Sequence, residues 1–389
     1  MKQTLQRVDS KHSHLYLYLS RETLFVWSTL KKELLALEGV HAALFFYMEE
    51  HDNSEDIYNY VKIQGIPHSQ ELEKVINTID ALFQTKKKKE ATQSFSIESS
   101  LQQKEMQQTP LKDVLYYKLN DNASFSLSIE DKSIEKEILT PFKHLQIDKH
   151  PIDLAFFIDV KREDNHYEIL LNGEKDSEVY DKKHLVPLLY DLVRIHYYQT
   201  HDFLVAMHAA ALTYKGHLLI LPGTSGVGKS TLASYLMYNG FKLYSDELTV
   251  INSQNEIVPL PLCSTIKEGS WEFVSGFMPT VNTLEHHLRF DKQKIKYVVP
   301  PSIAYKEESI QNSCILFPQY KKGSQTLLNP LSTVEALALL INSQYHLIDP
   351  KNFDKVYEFL LFISNSKLLR LTYCDADEAL NILEKEFSL

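Results

Sequence analysis

Cysteine is scarce in this chain. Cys263, Cys314 and Cys374 are the only three in 389 residues, far apart, odd in number and without a CxxC pair. That excludes a disulfide scaffold and a thiolate zinc site, and it suits a reducing compartment. No stretch approaches the roughly 20 apolar residues that span a bilayer. The opening MKQTLQRVDSKHSHLYLYLS lacks the apolar core of a signal peptide. A basic excess is missing as well. The formal net charge is -10, which argues against broad nucleic-acid binding, because phosphate contacts need clustered Lys and Arg. The expectation is a cytoplasmic protein with no membrane and no nucleic-acid partner.

Hydrophobic residues make up 44% of the chain, and the length allows two or three domains. The 22 tyrosines are expected in cores rather than as stacking platforms. Three blocks stand out. Residues 1–83 read as a small α+β domain. LYLYLSRETLFVWSTL looks like strand then helix, and SQELEKVINTIDALF places Leu72, Val75, Ile76, Ile79 and Leu82 at helical spacing behind a Ser69 cap. Residues 84–110 are polar, carry the run Lys86 to Lys89 and read as a linker. Residues 111–202 read as a second α+β domain. FSLSIE and HYEILLNG alternate like strands, Asn172-Gly173 signals a turn, and KKHLVPLLYDLVRIHYYQTH reads as a helix with Pro187 near its start.

The third block, residues 203–389, contains HAAALTYKGHLLILPGTSGVGKSTLASYLMYNGFKLYSDELTVI from His208 to Ile251. GTSGVGKS is a complete GxxxxGK[ST] match, entered by an apolar strand, HLLIL, and followed by a helix with Gly240 at its end. This order presents backbone N–H groups and a positive helix terminus to an anion. Gly223, Thr224, Ser225, Gly226, Val227, Gly228, Lys229, Ser230 and Thr231 form the expected nucleotide cradle. Lys229 is expected on the β- and γ-phosphates, and the Ser230 hydroxyl on Mg²⁺. FKLY reads as the next strand, leaving Asp246 and Glu247 at its C-terminal end. Ligands of open α/β sheets bind there. Two adjacent acids can divide two tasks, one acting on a hydroxyl nucleophile and one on the metal.

This stretch resembles the C-terminal catalytic domain of HPr kinase/phosphorylase and its HPr-kinase-like relatives. The resemblance is carried by MHAAAL, LLILPGTSGVGKSTLASYLMYNGF and LYSDE, at matching separations without gaps. It implies an α/β fold, a P-loop kinase core of the HPr kinase/PEP carboxykinase type, preceded by smaller α+β domains. It implies ATP and Mg²⁺ as cofactors and phosphate transfer to a serine hydroxyl. Asp246 falls on the acid that activates the acceptor, Glu247 on the metal-side acid that is usually Asp, and His208 on the His near the phosphate site. No clear copy of the later glycine-rich signature of the HPr-recognising enzymes stands in the chain, so the resemblance leaves HPr as the acceptor, and the reverse phosphorolysis, open.

KQKIKYVVPP, ILFPQYKKG and NPLSTVEALALL look like the tail of the HPr-kinase-like group, whose acceptor is often a serine of a precursor peptide. Lys294, Lys296 and Arg289 are candidate cations for the transferring phosphoryl group. The first block faintly resembles winged-helix modules that bind leader peptides. The partner expected is therefore a serine-containing peptide or protein, with a homo-oligomer also implied by the family. A kinase for free serine or another small metabolite, and an ATP-binding regulator without catalysis, are the alternatives.

Overall fold

Eight sequence-predicted elements take shape in the computed structural model. The model describes residues 6–387 except 9, 13–14, 21–22, 29–32, 39, 52–53, 64–68, 84–113, 121–122, 153, 200–202, 225, 305–309, 311, 344 and 348–352. The expected 84–110 linker and Ser225 lie outside the described residues. The chain divides into two units, one of residues 1–103, 332–338 and 347–365, the other of 104–331, 339–346 and 366–389. The second unit runs across the expected boundary between 111–202 and 203–389.

In the first unit, strands Gln6–Val8, Leu15–Ser20, Thr23–Ser28 and Glu33–Glu38 form an antiparallel sheet in chain order. Helices Val40–Glu50, Ser54–Ile63 and Gln70–Phe83 follow. Leu17, Leu24, Val26, Leu44, Phe45 and Ile79 sit in one core. The second half of LYLYLSRETLFVWSTL, expected as helix, is the strand Thr23–Ser28. All six of its residues are buried. A short run buried on both faces has no polar period to separate strand from helix, and its Thr, Phe, Val and Trp favour the pleated form. The cap at the third helix is present: Leu72 N–H donates to Ser69 Oγ at 3.1 Å.

The second unit holds the motif. Its central sheet has the order 242–245, 209–214, 217–222, 312–320, 367–373, 327–330. Ala209–Tyr214 is antiparallel to both His217–Pro222 and Lys242–Ser245, so those two run the same way. His217–Pro222, Asn312–Tyr320 and Lys367–Tyr373 are mutually parallel, and Leu327–Pro330 closes the edge antiparallel. Four strands therefore end at one edge, and the glycine loop and the acid pair both leave from it. The sheet is mixed, and the class is α/β. Helix Lys229–Tyr238 buries Leu232, Ala233, Leu236 and Met237 on it, beside Ala379, Leu383 and Phe387 of helix Ala376–Phe387. Gly240, at φ +95°, ends the first of these: its N–H donates to Met237 O, and Phe241 N–H to Leu236 O. That pair of bonds is the Schellman closure, and only a residue at ease with positive φ supports it.

A second sheet of the same unit has the order 174–179, 167–171, 154–162, 123–129, 115–120, 146–147. The Asn172-Gly173 turn joins two of its strands, with both residues at positive φ. Helix Leu185–Gln199 carries three tyrosines that reach into the motif half. Tyr190 donates to Cys263 O, Tyr197 to Pro259 O and Tyr198 to Leu248 O, at 2.6, 2.6 and 2.7 Å. A buried phenol without a partner is costly, so these bonds fix the helix. Strands Ser264–Lys267, His287–Leu288 and Lys294–Val298 make a small third sheet over Ile266, Val274, Val281 and Val298. No helix among the described residues is long and apolar enough to cross a membrane.

Leu316 is fully buried in the middle of the central sheet, in the strand beside the one that enters the loop. Leu316→Ala is expected to cost about 2–5 kcal/mol of stability, the range for a buried leucine whose cavity collapses incompletely. A urea melt showing a change below about 0.5 kcal/mol, the size of a surface substitution, would contradict this packing.

Candidate functional site

The glycine loop closes at Gly228, which has neither room for a side chain nor an ordinary φ. Gly228 caps helix Lys229–Tyr238 at φ +90°. A Cβ there would meet Tyr373 Oη at 2.8 Å and Tyr320 Cβ at 3.2 Å. The two tyrosines brace the loop from outside: Tyr373 Oη donates to Gly228 O at 3.3 Å, and Tyr320 N–H donates to Val227 O at 3.2 Å. On the inner side, Gly223 N–H donates to His208 O at 3.4 Å.

A cavity of about 360 Å³ opens in front of the loop. Thr224, Gly226, Gly228, Lys229, Ser230 and Thr231 line it from the loop and helix, and His208 and Glu247 from the strand ends. Ile266, Lys267 and Ser270, with Arg289, Asp291 and Gln293, form the wall contributed by the small third sheet and its connections, and Ser343 completes it. Thr231 and Ser270 hydroxyls hydrogen-bond at 2.8 Å and tie that wall to the loop helix.

Lys229 is the electrostatic centre. Its side chain is buried, and Nζ has no hydrogen-bond partner. Burial pushes its pKa down, while Asp246 and Glu247 pull it back up. The same burial, helped by Lys229, pushes the His208 imidazole down to about 4, so His208 is neutral at pH 7. Leaving a buried ammonium unpaired costs on the order of several kcal/mol. An anion on the cavity side removes that cost, which is the requirement a nucleotide's phosphates meet.

The two acids have different surroundings. Glu247 faces the cavity. Its Oε2 is 3.7 Å from Arg194 Nη1 and 3.8 Å from Arg289 Nη1. Burial alone would raise its pKa, but Lys229, Arg194 and Arg289 together hold it below the ordinary carboxylate value. Its backbone is left-handed at φ +67°, which is uncommon for a residue with a side chain and costs of order 1–3 kcal/mol. Asp246 is buried and does not line the cavity. One carboxylate oxygen accepts the Glu247 N–H at 2.8 Å, and the other, Oδ2, has no partner. Burial raises its pKa, with Lys229 opposing. Ser264 Oγ also opposes the rise, although no hydrogen bond of ordinary geometry joins the two.

Of the expected residues, the fold gathers His208, Thr224, Gly226, Gly228, Lys229, Ser230, Thr231 and Glu247 around one cavity. Gly223 and Val227 shape the loop, and Asp246 is buried outside the cavity lining. The candidate cations separate. Arg289 lines the cavity, whereas Lys294 pairs with Glu268 at 3.0 Å. Lys296 is buried, donates to Val281 O at 2.8 Å and sits over the Trp271 ring at 4.6 Å. That partnership makes Lys296 part of the small core. Arg194 and Lys267 are site residues that sequence reasoning missed. Arg194 lies on a helix of the 111–202 block, and no spacing in the sequence links it to Glu247. Among the described residues no cluster of three or more His, Cys, Asp or Glu suits a metal held by protein alone. Ser230 and Glu247 nevertheless line the same cavity, and a hydroxyl with one carboxylate is the hard-oxygen donor set that Mg²⁺ shares with phosphate oxygens. No protein-family model matches the chain, and no curated protein matches it.

His208 and His287 both have pKa values pushed down to about 4, with burial the first cause in each. An unfolded histidine titrates near 6.5. Between those values the unfolded chain binds more protons, so stability is full above about pH 6.5 and falls as pH drops towards 4. The raised carboxyl of Asp246 works in the opposite sense. The expected result is therefore a difference: His208→Asn loses less melting temperature than wild type between pH 6.5 and 4.5. Proton NMR is expected to show neither ring titrating between pH 5 and 8, and a titration of His208 near 6.5 would contradict its burial.

Proposed function

We propose that this protein is an ATP-dependent phosphotransferase with a hydroxyl acceptor, a serine of a peptide or small protein first among the candidates. The observation that supports the reading most is Lys229: a buried ammonium with no partner, on the floor of a cavity entered by a glycine loop. The resemblance of residues 208–251 to HPr-kinase-like proteins supplies the acceptor class.

In this reading the loop N–H groups and Lys229 hold the β- and γ-phosphates, and Ser230 and Glu247 hold Mg²⁺. The metal, when bound, neutralises charge on the β- and γ-oxygens. Thr231 and Ser270 keep the far wall against the helix, and Arg289 offers a further cation at the rim. Asp246 Oδ2, buried and without a partner, takes the proton of the acceptor hydroxyl. The hydroxyl oxygen forms the new P–O bond as the bond to the ADP leaving oxygen breaks. Positioning and fixed charge carry nearly all of the rate, because phosphoryl transfer asks little covalent chemistry of the protein. Asp246 is buried and does not line the cavity, so this role requires the acceptor hydroxyl to open a way to it.

The test is incubation with γ-labelled ATP and serine-containing peptides, with mass spectrometry asking for one added phosphate on serine. Lys229→Ala is expected to abolish ATP binding and transfer. Asp246→Asn is expected to keep ATP binding and lose roughly 10²- to 10⁴-fold in rate, the range for a positioned acid–base group. Undiminished transfer by Asp246→Asn removes Asp246 from the reaction. ATP binding without a phosphorylated product from any acceptor points instead to a nucleotide-binding regulator.

A further inference from the structure

We infer that Arg194 is a positioning residue for phosphoryl transfer, acting on the site from a helix outside the strand–loop–helix motif by fixing the Glu247 carboxylate at the cavity wall. The inference rests on the phosphotransferase reading above.

Arg194 is itself oriented before it meets Glu247. Its Nη2 donates to Asp191 Oδ1 at 2.8 Å, one turn earlier on the same helix, and its Nη1 lies 3.7 Å from Glu247 Oε2. A guanidinium is a planar fork, so fixing one arm aims the other. The helix that carries it is anchored about one turn to either side of Arg194. Tyr198 donates to Leu248 O, next to Glu247, and Tyr190 to Cys263 O. Glu247 is held from below as well, in its left-handed backbone, by the bond from its N–H to Asp246 Oδ1. Such a conformation persists only where the surroundings over-determine it.

Arg289, the other guanidinium near Glu247, differs in kind. It lines the cavity, lies 3.9 Å from Asp291 as well as 3.8 Å from Glu247, and its side chain is 31% exposed against 17% for Arg194. Arg289 can therefore meet a ligand. Arg194 does not line the cavity; Glu247 is the cavity-lining group it pairs with, although its charge also pushes the pKa values of Lys229 and His208 down. It follows that the machinery does not begin at residue 203: the α+β half supplies part of it.

A double-mutant cycle on the full-length chain tests this, using γ-labelled ATP and a serine peptide that the wild type phosphorylates. Arg194→Ala is expected to lower kcat/KM roughly 10- to 100-fold, the loss usual for a residue that orients a first-contact group. Arg194→Lys is expected to recover part of it. In a Glu247→Gln background, Arg194→Ala is expected to change nothing further, since the group it positions is gone. Tyr190→Phe removes an anchor of the same helix and serves as the structural control. It is expected to lower the melting temperature, with the same effect on rate in either background. Turnover by Arg194→Ala within twofold of wild type overturns the inference, as does a loss that persists in full beside Glu247→Gln. If Arg194→Ala does not fold, Arg194→Lys carries the same comparison. A wild type that phosphorylates no peptide overturns the phosphotransferase reading, and this inference with it, whereas an active wild type without coupling overturns the inference alone.

Discussion

A buried ammonium without a partner is the constraint around which this half of the molecule is arranged. Lys229 is the first residue of its helix, placed there by Gly228 in a conformation that the Tyr320 and Tyr373 pair closes to any other side chain. Its charge then dictates what surrounds it. A neighbouring histidine is kept neutral, and two acids are drawn in close, neither of them near enough to pair with Nζ. A fully satisfied lysine would be a structural ion pair and would leave little for a ligand. An unsatisfied one is a standing penalty that an anion relieves, and binding energy of that kind is available to a phosphate chain.

Strand direction turns that local chemistry into a site. Lys242–Ser245 and His217–Pro222 both lie antiparallel to Ala209–Tyr214, so the loop and the acid pair must emerge at one edge, separated by the width of a single strand. The order of elements along the chain does not require this. Had the strand before the acids run the other way, Asp246 and Glu247 would lie at the far end of the sheet. The small third sheet then walls the edge, and the Thr231–Ser270 bond joins wall to helix. Cavity, cation and acids follow from topology first and from side-chain detail second.

Local chemistry was legible in the sequence, and long-range pairing was not. The glycine loop, its strand and helix, the Gly240 closure, the Ser69 cap and the Asn172-Gly173 turn each depend on residues within a few positions of one another, and each is present. Thr23–Ser28 failed as a helix because burial on both faces erases the period that distinguishes the two forms. Arg194 could not be found, since its link to Glu247 spans 53 positions and exists only because tyrosines dock one helix against another half of the unit. Lys296 shows the reverse error. It looked like a cation available to a phosphate, and it is instead occupied by Val281 O and the Trp271 ring.

The same geometry gives the unequal lengths of the two acids a consequence. Position 247 carries Glu beside Asp246, one methylene longer. With its backbone left-handed, the longer side chain brings one carboxylate oxygen within 3.7 Å of Arg194 and 3.8 Å of Arg289. An Asp on this backbone ends about 1.5 Å short, one carbon–carbon bond, and would leave both guanidiniums without their shared acceptor. Arg194 would then be left with Asp191 alone, and it is the less exposed of the two guanidiniums, so it loses more with that acceptor. The choice of Glu and the presence of Arg194 are therefore one structural decision. A chain with Asp at 247 should dispense with the inner arginine, and a chain that keeps the arginine should keep the longer acid.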